Sequence, residues 1–464
     1  MTGTRRVAGL AIVAALCLIL GNGRSALARP QAAAAGAQDQ GAAKQAYTMP
    51  QFNGEQACAQ EKNPTTQVKC FDDLLQKYPD LSPELLKFIY PMYMQSYGQL
   101  KDYQHVIVYA DKMVGLGDKI DAIAKFNAYY SHAMAYTTLL GTKGPWQQDP
   151  TLAKGTIEAI TSGLTTLEGV KKPDGVTDDA WAAQLKQFKI ALNSVGAQAA
   201  TVQKDYPTVI NFYKAVLAVN PEEPITNYNL GRTYLLLNPP QQMDAMWYVA
   251  RAVSSKSATQ QQVTQIKPYL RKLIENYQGG SVCDSITDSE LNEILQLAGS
   301  SAERPASYSL PSSADLDNAR KDMTIATVMA DLKAGGDKSK LTWMASCGLE
   351  FPGLIGKVIE VVPRAADKPN DPVILKVAFV TSDAEFDAAT TANMEVKVIE
   401  QQDKVAKIEK DSPVHFTGTL ASFDPDPAFM MHWEKGKVAE EDLPKEKSAP
   451  KKTTKRPTKR PSGH

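Results

Sequence analysis

Along most of the chain, apolar residues recur at the three- and four-residue spacing of an amphipathic helix. Only toward the C-terminus does the period shorten to two. In NPTTQVKCFDDLLQKYP, Val68, Phe71, Leu74 and Leu75 fall on one helical face, the pattern of a helix with one buried side. Ser82-Pro83-Glu84 then supplies an N-cap, a first-turn proline and an early acid, which together start a helix. Periodic segments continue to about residue 300, broken at Gly115-Leu116-Gly117, Gly141 to Pro150, Lys171 to Gly175, Asn220-Pro221 and Asn238-Pro239-Pro240. Pro91 stands inside one of them and predicts a kink. After Gly279-Gly280, ITDSELNEILQLAG is one more helix and SSAERPASYSLPSSADL reads as a linker. A single helix, DLDNARKDMTIATVMADLKAG, leads into five short segments: GKVIEVVP, PVILKVAFV, NMEVKVIE, SPVHFTGTLASF and AFMMHWEKGKV. These alternate or run apolar at strand length, and five of them close together predict a small barrel or curled sheet.

The helical segments come in pairs. DYPTVINFYKAVLAVNP, residues 205–221, resembles the second helix of a tetratricopeptide repeat (TPR), with Tyr206 beginning it, Val209 at the small crossing position, Tyr213 as the ring, Val216 at the second small position and Pro221 closing the unit. NYNLGRTY resembles the next repeat's first helix, with Leu230-Gly231 and Tyr234 at the family's Leu-Gly and Tyr positions. DAMWYVARAV follows as its partner, with Ala245 and Ala252 at the small positions. Val209 and Ala245 are 36 residues apart, two beyond the family's usual ~34, and the Asn238-Pro239-Pro240 corner accommodates the excess. Two antiparallel helices approach closely only where one offers Gly or Ala, and rings fill the holes left between turns. Tyr206, Val209, Tyr213, Pro221, Leu230, Gly231, Tyr234, Ala245 and Ala252 are therefore read as packing residues. An earlier hairpin carrying Tyr90, Tyr97 and Tyr103 resembles the pattern with Met94 in place of Gly or Ala, and the resemblance covers roughly residues 64–280 in about four hairpins. The segment HFTGTLASFDPDPAFMMHW is similar to the closing strands of small OB-like domains appended to exported bacterial TPR proteins.

The ends change the picture of where the chain works. MTGTRRVAGLAIVAALCLILGNGRSALA has Arg residues, an apolar run from Val7 to Leu20 and Ala26-Leu27-Ala28, the order of a secretory signal peptide. The run is 14 residues long, short of the ~20 that cross a bilayer, so no integral membrane segment is expected after cleavage. Residues 29–48 are Ala, Gln and Gly with little to bury, a linker. The tail, 445–464, holds eight Lys or Arg and one acid without an apolar face, and is expected to be disordered. It offers at most a weak, salt-sensitive contact with polyanions. The expected plan is a signal peptide (1–28), linker (29–48), TPR-like α-solenoid (49–300), linker (301–320), β-rich domain (321–444) and basic tail (445–464). In fold class this is multidomain α + β, an all-α helical-hairpin solenoid followed by a small β-barrel-like domain.

Export gives the cysteines a meaning. Cys58, Cys70, Cys283 and Cys347 remain once Cys17 leaves with the signal, and an even number in an oxidising compartment points to disulfides. Four cysteines allow three pairings. Cys58 with Cys70 is the economical one, closing a short loop between helices, which leaves Cys283 with Cys347; four reduced, buried thiols are the alternative.

Little of the chain looks chemical. HExxH, GxSxG and phosphate-loop patterns are absent, and AGGDKSK at 334–340 lacks the required spacing. Among His105, His132, His415, His432 and His464, none pairs with another at ligand spacing. His132 reads as a satisfied core histidine, and only His415 and His432 could meet, across neighbouring strands. Asp424-Pro425-Asp426-Pro427 supplies too few oxygens for calcium and reads as a rigid turn. No metal, cofactor or catalytic residue is assigned. Tyr228, Arg232 and Leu235 fall on the outward side of their helix if the repeat pattern holds, and TPR arrays line a groove with that side. Arg combines a fixed charge with a stackable plane, which suits an interface anchor. Trp146, beside Gly144-Pro145, is the aromatic expected to be exposed. The resemblance therefore implies an exported, non-enzymatic scaffold holding a protein partner in the cell envelope. The alternative is an oligosaccharide- or nucleic-acid-binding protein acting through the β-domain and tail.

Overall fold

The computed structural model describes residues 46–444, apart from 281, 366, 368–370 and 426. The signal-like segment, most of the first linker and the basic tail lie outside the described residues. By internal contacts the chain divides into two units, residues 1–263 and 264–464.

The first unit is entirely helical. Its helices are α1 (Met49–Gln60), α2 (Pro64–Lys77), α3 (Pro83–Gln99), α4 (Tyr103–Val114), α5 (Ala122–Leu140), α6 (Pro150–Glu168), α7 (Asp178–Val202), α8 (Tyr206–Val219), α9 (Pro224–Tyr234) and α10 (Gln242–Ser254). Local chemistry starts most of them. The side chains of Thr48, Asn63, Asp102, Asp121, Asp149, Thr177, Asp205 and Glu223 accept amide N–H bonds in the first turn, satisfying donors that have no partner inside the helix. Pro91 sits inside α3, which remains one element.

Consecutive helices pack as antiparallel pairs, and the first helices of successive pairs also touch: α1 on α3, α3 on α5, α5 on α7. Four hairpins result, α3/α4, α5/α6, α7/α8 and α9/α10, behind the α1/α2 pair that Cys58–Cys70 ties together. Each element buries its apolar face only against near neighbours, which is how a solenoid is built. Polar ties are few. His132, 3 % exposed, joins three helices, with Nδ1 2.7 Å from Asp111 Oδ1 on α4 and Nε2 3.1 Å from Thr156 Oγ1 on α6.

In the second unit, α11 (Gln260–Tyr277), whose first turn contains the division, and α12 (Asp284–Ser300) precede three shorter helices. The single helix expected over 315–335 is broken into α13 (Ser313–Arg320) and α14 (Ile325–Ala334), because Thr324 starts a new helix with a capping box to Thr327. Then α15 (Gly336–Ser346) leads to the sheet. Cys283–Cys347 ties the start of α12 to the end of α15, Cα–Cα 5.9 Å.

The five expected strands are β1 (Glu350–Val362), β2 (Val373–Phe379), β3 (Met394–Val398), β4 (Pro413–Asp424) and β5 (Met430–Val438). Helix α16 (Asp383–Ala388) follows β2 and α17 (Gln402–Val405) follows β3. They close a barrel in the order β1-β2-β3-β5-β4, with β3 and β5 parallel and every other pair antiparallel. Alternation decides what is inside. Leu375, Val377, Val396, Phe416, Leu420 and Trp433 fill the interior, and Val328, Met329 and Leu332 of α14 join the same core.

Candidate partner-binding face

The hairpin α9/α10 is set by how closely its helices cross. A Cβ built on Gly231 would lie 2.7 Å from the Ala245 carbonyl oxygen and 3.0 Å from the Val249 amide nitrogen. Backbone meets backbone at that point, and only glycine fits. Leu230, Ala245 and Ala252 are fully buried around it, and Val209 of α8 is 1 % exposed. Tyr234 stacks on Tyr248 at 5.6 Å between ring centroids and 8° between planes. Tyr206 and Tyr213 are half-buried, and Pro221 is exposed at the corner. The first unit is a tetratricopeptide-like helical-hairpin solenoid.

Two residues that the repeat pattern does not single out close the corner between α8 and α9. Asn227, fully buried, donates its amide to the carbonyls of Pro221 (3.1 Å) and Glu223 (2.9 Å). Arg251 donates from Nη2 to the same Pro221 carbonyl at 3.1 Å. The only trace of them in the sequence is a polar side chain recurring at a buried helical position.

The other side of α9 is different. Ile225, Tyr228, Asn229, Arg232, Leu235 and Leu236 recur at the three- and four-residue spacing of one helical stripe, and none is buried. Ile225 is 45 % and Leu236 53 % exposed. Between them the Arg232 guanidinium lies over the Tyr228 ring, 5.6 Å from its centroid, within cation–π reach. Among the described residues no carboxylate pairs with Arg232. Tyr213 of α8 stands close enough to feel its charge: burial pushes the phenol pKa up and the Arg232 cation partly offsets the rise. The structure thus brings Tyr228, Arg232 and Leu235 onto one face and adds Ile225 and Leu236.

Trp146 is elsewhere. In the short turn Pro145–Gln148 it is half-buried, and its indole N–H donates to the Leu139 carbonyl (2.8 Å) and to Thr142 Oγ1 (3.1 Å). The ring fastens the α5–α6 connection to the end of α5 and folds over Gly144.

On the barrel, cations are matched to acids across its outer face. Lys376 pairs with Glu360 at 2.8 Å, Lys397 with Glu434 at 2.7 Å and Lys437 with Glu400 at 2.8 Å. The two barrel histidines do not meet. His432 lies opposite Ser422, whereas Phe416, next to His415, lies opposite Val438. Each keeps a carboxylate of its own, Asp442 at 3.0 Å for His415 and Asp424 at 2.9 Å for His432. Among the described residues no group of three His, Cys, Asp or Glu could hold a metal ion. An open cleft of about 540 Å³ lies between α14 and the β2–β3 connection, with Met329, Lys333, Phe379, Thr381, Glu385 and Asn393 among its lining residues.

No family model and no curated protein matches the chain. Among solved structures it is similar to a MamA RS-1 ArsTM double mutant, at 14 % identity over 47 % of this chain and 94 % of that one, TM-score 0.25. It is also similar to the thermophilic TPR protein TTC0263 of Thermus thermophilus (13 %, 47 % and 98 %, TM-score 0.23) and to the type IV pilus biogenesis factor PilW (15 %, 54 % and 99 %, TM-score 0.25). At TM-scores of this size the likeness carries no weight, and the architecture stands on its own helix pairing.

Two bridged cysteine pairs belong to the chemistry of an oxidising, non-cytoplasmic compartment. No helix among the described residues is long and apolar enough to cross a membrane.

Proposed function

We propose that this chain is an exported, non-enzymatic scaffold that docks a protein partner of the cell envelope on the outward face of α9. One observation carries the reading. A helix whose other side is packed to backbone contact at Gly231 leaves two large aliphatic side chains, Ile225 and Leu236, exposed on either side of an arginine that lies over a tyrosine ring. Exposed apolar groups around an Arg or Tyr anchor are the composition of an interface centre. Tyr228, Arg232 and Leu235 form its middle, and Trp146 is a lesser contact through the exposed part of its ring. The signal-like N-terminus and the two disulfides favour export.

The test is crosslinking and capture from envelope extract, comparing the intact chain with an Arg232→Glu, Tyr228→Ala variant. Loss of a captured protein by a variant that keeps its helical circular dichroism supports the face. Unchanged capture removes it.

A second reading gives the working role to the barrel, as an OB-like module for oligosaccharide or nucleic acid aided by the basic tail. The strand order β1-β2-β3-β5-β4 favours it. The paired Lys376, Lys397 and Lys437 weigh against it, since single-strand binding uses a cationic groove and stacking aromatics. Retention of polyanions that depends on 321–464 and falls steeply with salt would bring it forward.

A further inference from the structure

Resting on that reading of α9, we infer that the partner segment is an amphipathic helix bearing one acidic side chain between two large apolar ones, the acid seated on Arg232. The charge argument is direct. Arg232 is exposed, its guanidinium lies over the Tyr228 ring at 5.6 Å, and among the described residues no carboxylate pairs with it. A guanidinium placed in this way presents its donors to a carboxylate in the fork geometry that suits it.

Spacing selects the conformation. At a helical rise of about 1.5 Å per residue, Ile225 lies about 10.5 Å along the axis from Arg232, and Leu236, just past the end of α9 beyond the αR turn at Leu235, lies about 6 Å the other way. An extended chain, at about 3.3 Å per residue, meets those points with residues two and three places from the acid. Those two places point to opposite sides of a strand. A helix meets them with residues four and seven places away, which share one face. The occupant is therefore a helix with an acid four residues from one large aliphatic side chain and seven from another.

The probes are acetylated, amidated, fluorescein-labelled helical peptides of Ala and Gln with leucine at the fourth and fifteenth positions. Glutamate stands at the eleventh position in one and at the eighth in the other, which covers both chain directions. Each has a twin with glutamine in place of glutamate. Anisotropy with the full chain is expected to show one glutamate peptide binding roughly tenfold tighter than its twin, as a charge-assisted hydrogen bond provides. Arg232→Gln should bring that ratio to about one. Ile225→Ser with Leu236→Ser should weaken both twins by the same factor. A ratio near one for the unsubstituted chain, or a ratio that survives Arg232→Gln, overturns the assignment. So does recovery of affinity by a glutamine peptide that ends with a free carboxylate at the acid position, since the seat would then read a chain terminus. Twins that bind equally and are both lost in the serine double variant overturn the acid while leaving α9 as a docking face. Binding by neither twin overturns the inference, and capture from envelope extract still decides the face independently.

Discussion

Gly231→Ala is the sharpest perturbation of the solenoid, because one methyl group must enter a space already filled by main chain. Its Cβ would lie 2.7 Å from the Ala245 oxygen, 2.8 Å from Val249 Cγ2 and 3.0 Å from the Val249 nitrogen. The valine methyl can swing away; the two backbone atoms can yield only if α9 and α10 separate. Overpacking of this kind costs about 1–3 kcal/mol, against a helix-propensity gain of about 1 kcal/mol for Ala over Gly. With backbone as the obstacle, the upper part of that range applies, and the net expectation is a loss of about 1–2 kcal/mol. Gly155 on α6 supplies the control, since a Cβ there meets nothing within 4 Å. Gly155→Ala should therefore stabilise by about 1 kcal/mol. Thermal unfolding followed at 222 nm reads the contrast, at about 2–4 °C per kcal/mol for a unit of this size. The two variants should move Tm in opposite directions. If Gly231→Ala raises Tm as much as Gly155→Ala does, the close crossing of α9 and α10 is refuted.

Glu290, 1 % exposed, accepts from Gln278 at 2.7 Å but leaves its Oε1 and the Gln278 Oε1 without hydrogen-bond partners. Burial pushes its pKa up, so the folded state holds this proton to a higher pH than the unfolded chain, and its contribution to stability is lost as pH rises through the folded value. Glu290→Gln, whose amide can donate to Gln278 Oε1, should stabilise the second unit by about 1 kcal/mol or more at neutral pH, with the gap closing near pH 4; a gap independent of pH would contradict this. Replacing Cys283 and Cys347 by serine opens a loop of 64 residues against 12 for Cys58 and Cys70, for losses of about 4 and about 3 kcal/mol by chain entropy. Urea midpoints of the two double variants test that order. Asn227→Ala removes one of two donors from each of the Pro221 and Glu223 carbonyls and should cost about 1 kcal/mol, whereas an unchanged urea midpoint would show that the corner holds without it.

What the sequence determined by itself was local. Helix starts follow from a side-chain acceptor placed before a periodic run, as at Asp149-Pro150 and Asp205, because the first-turn amides need a partner within three residues. The five strands follow from alternation, which places each residue on one side of its own strand whatever the neighbour. The stacking of helical pairs was legible because Leu230-Gly231 and Ala245 are small or apolar where a crossing demands it. Half of the α9 face, Tyr228, Arg232 and Leu235, was legible from the same phase. Ile225 and Leu236 were not, since apolar residues at a helix end look like core until neighbours fail to cover them. The exposure of Trp146 was likewise beyond a reading of periodicity, because its indole N–H is drawn to a carbonyl oxygen seven residues back and a hydroxyl oxygen four residues back. Tertiary structure settled the cysteines on the pairing that the short Cys58–Cys70 loop favoured, and it alone closed the barrel through the parallel β3–β5 contact, brought Lys376 to Glu360 and Lys397 to Glu434 across strands and set the register that keeps His415 from His432. Those are relations between residues far apart in the chain. No local preference fixes them; they are decided when apolar faces find the partners that bury them.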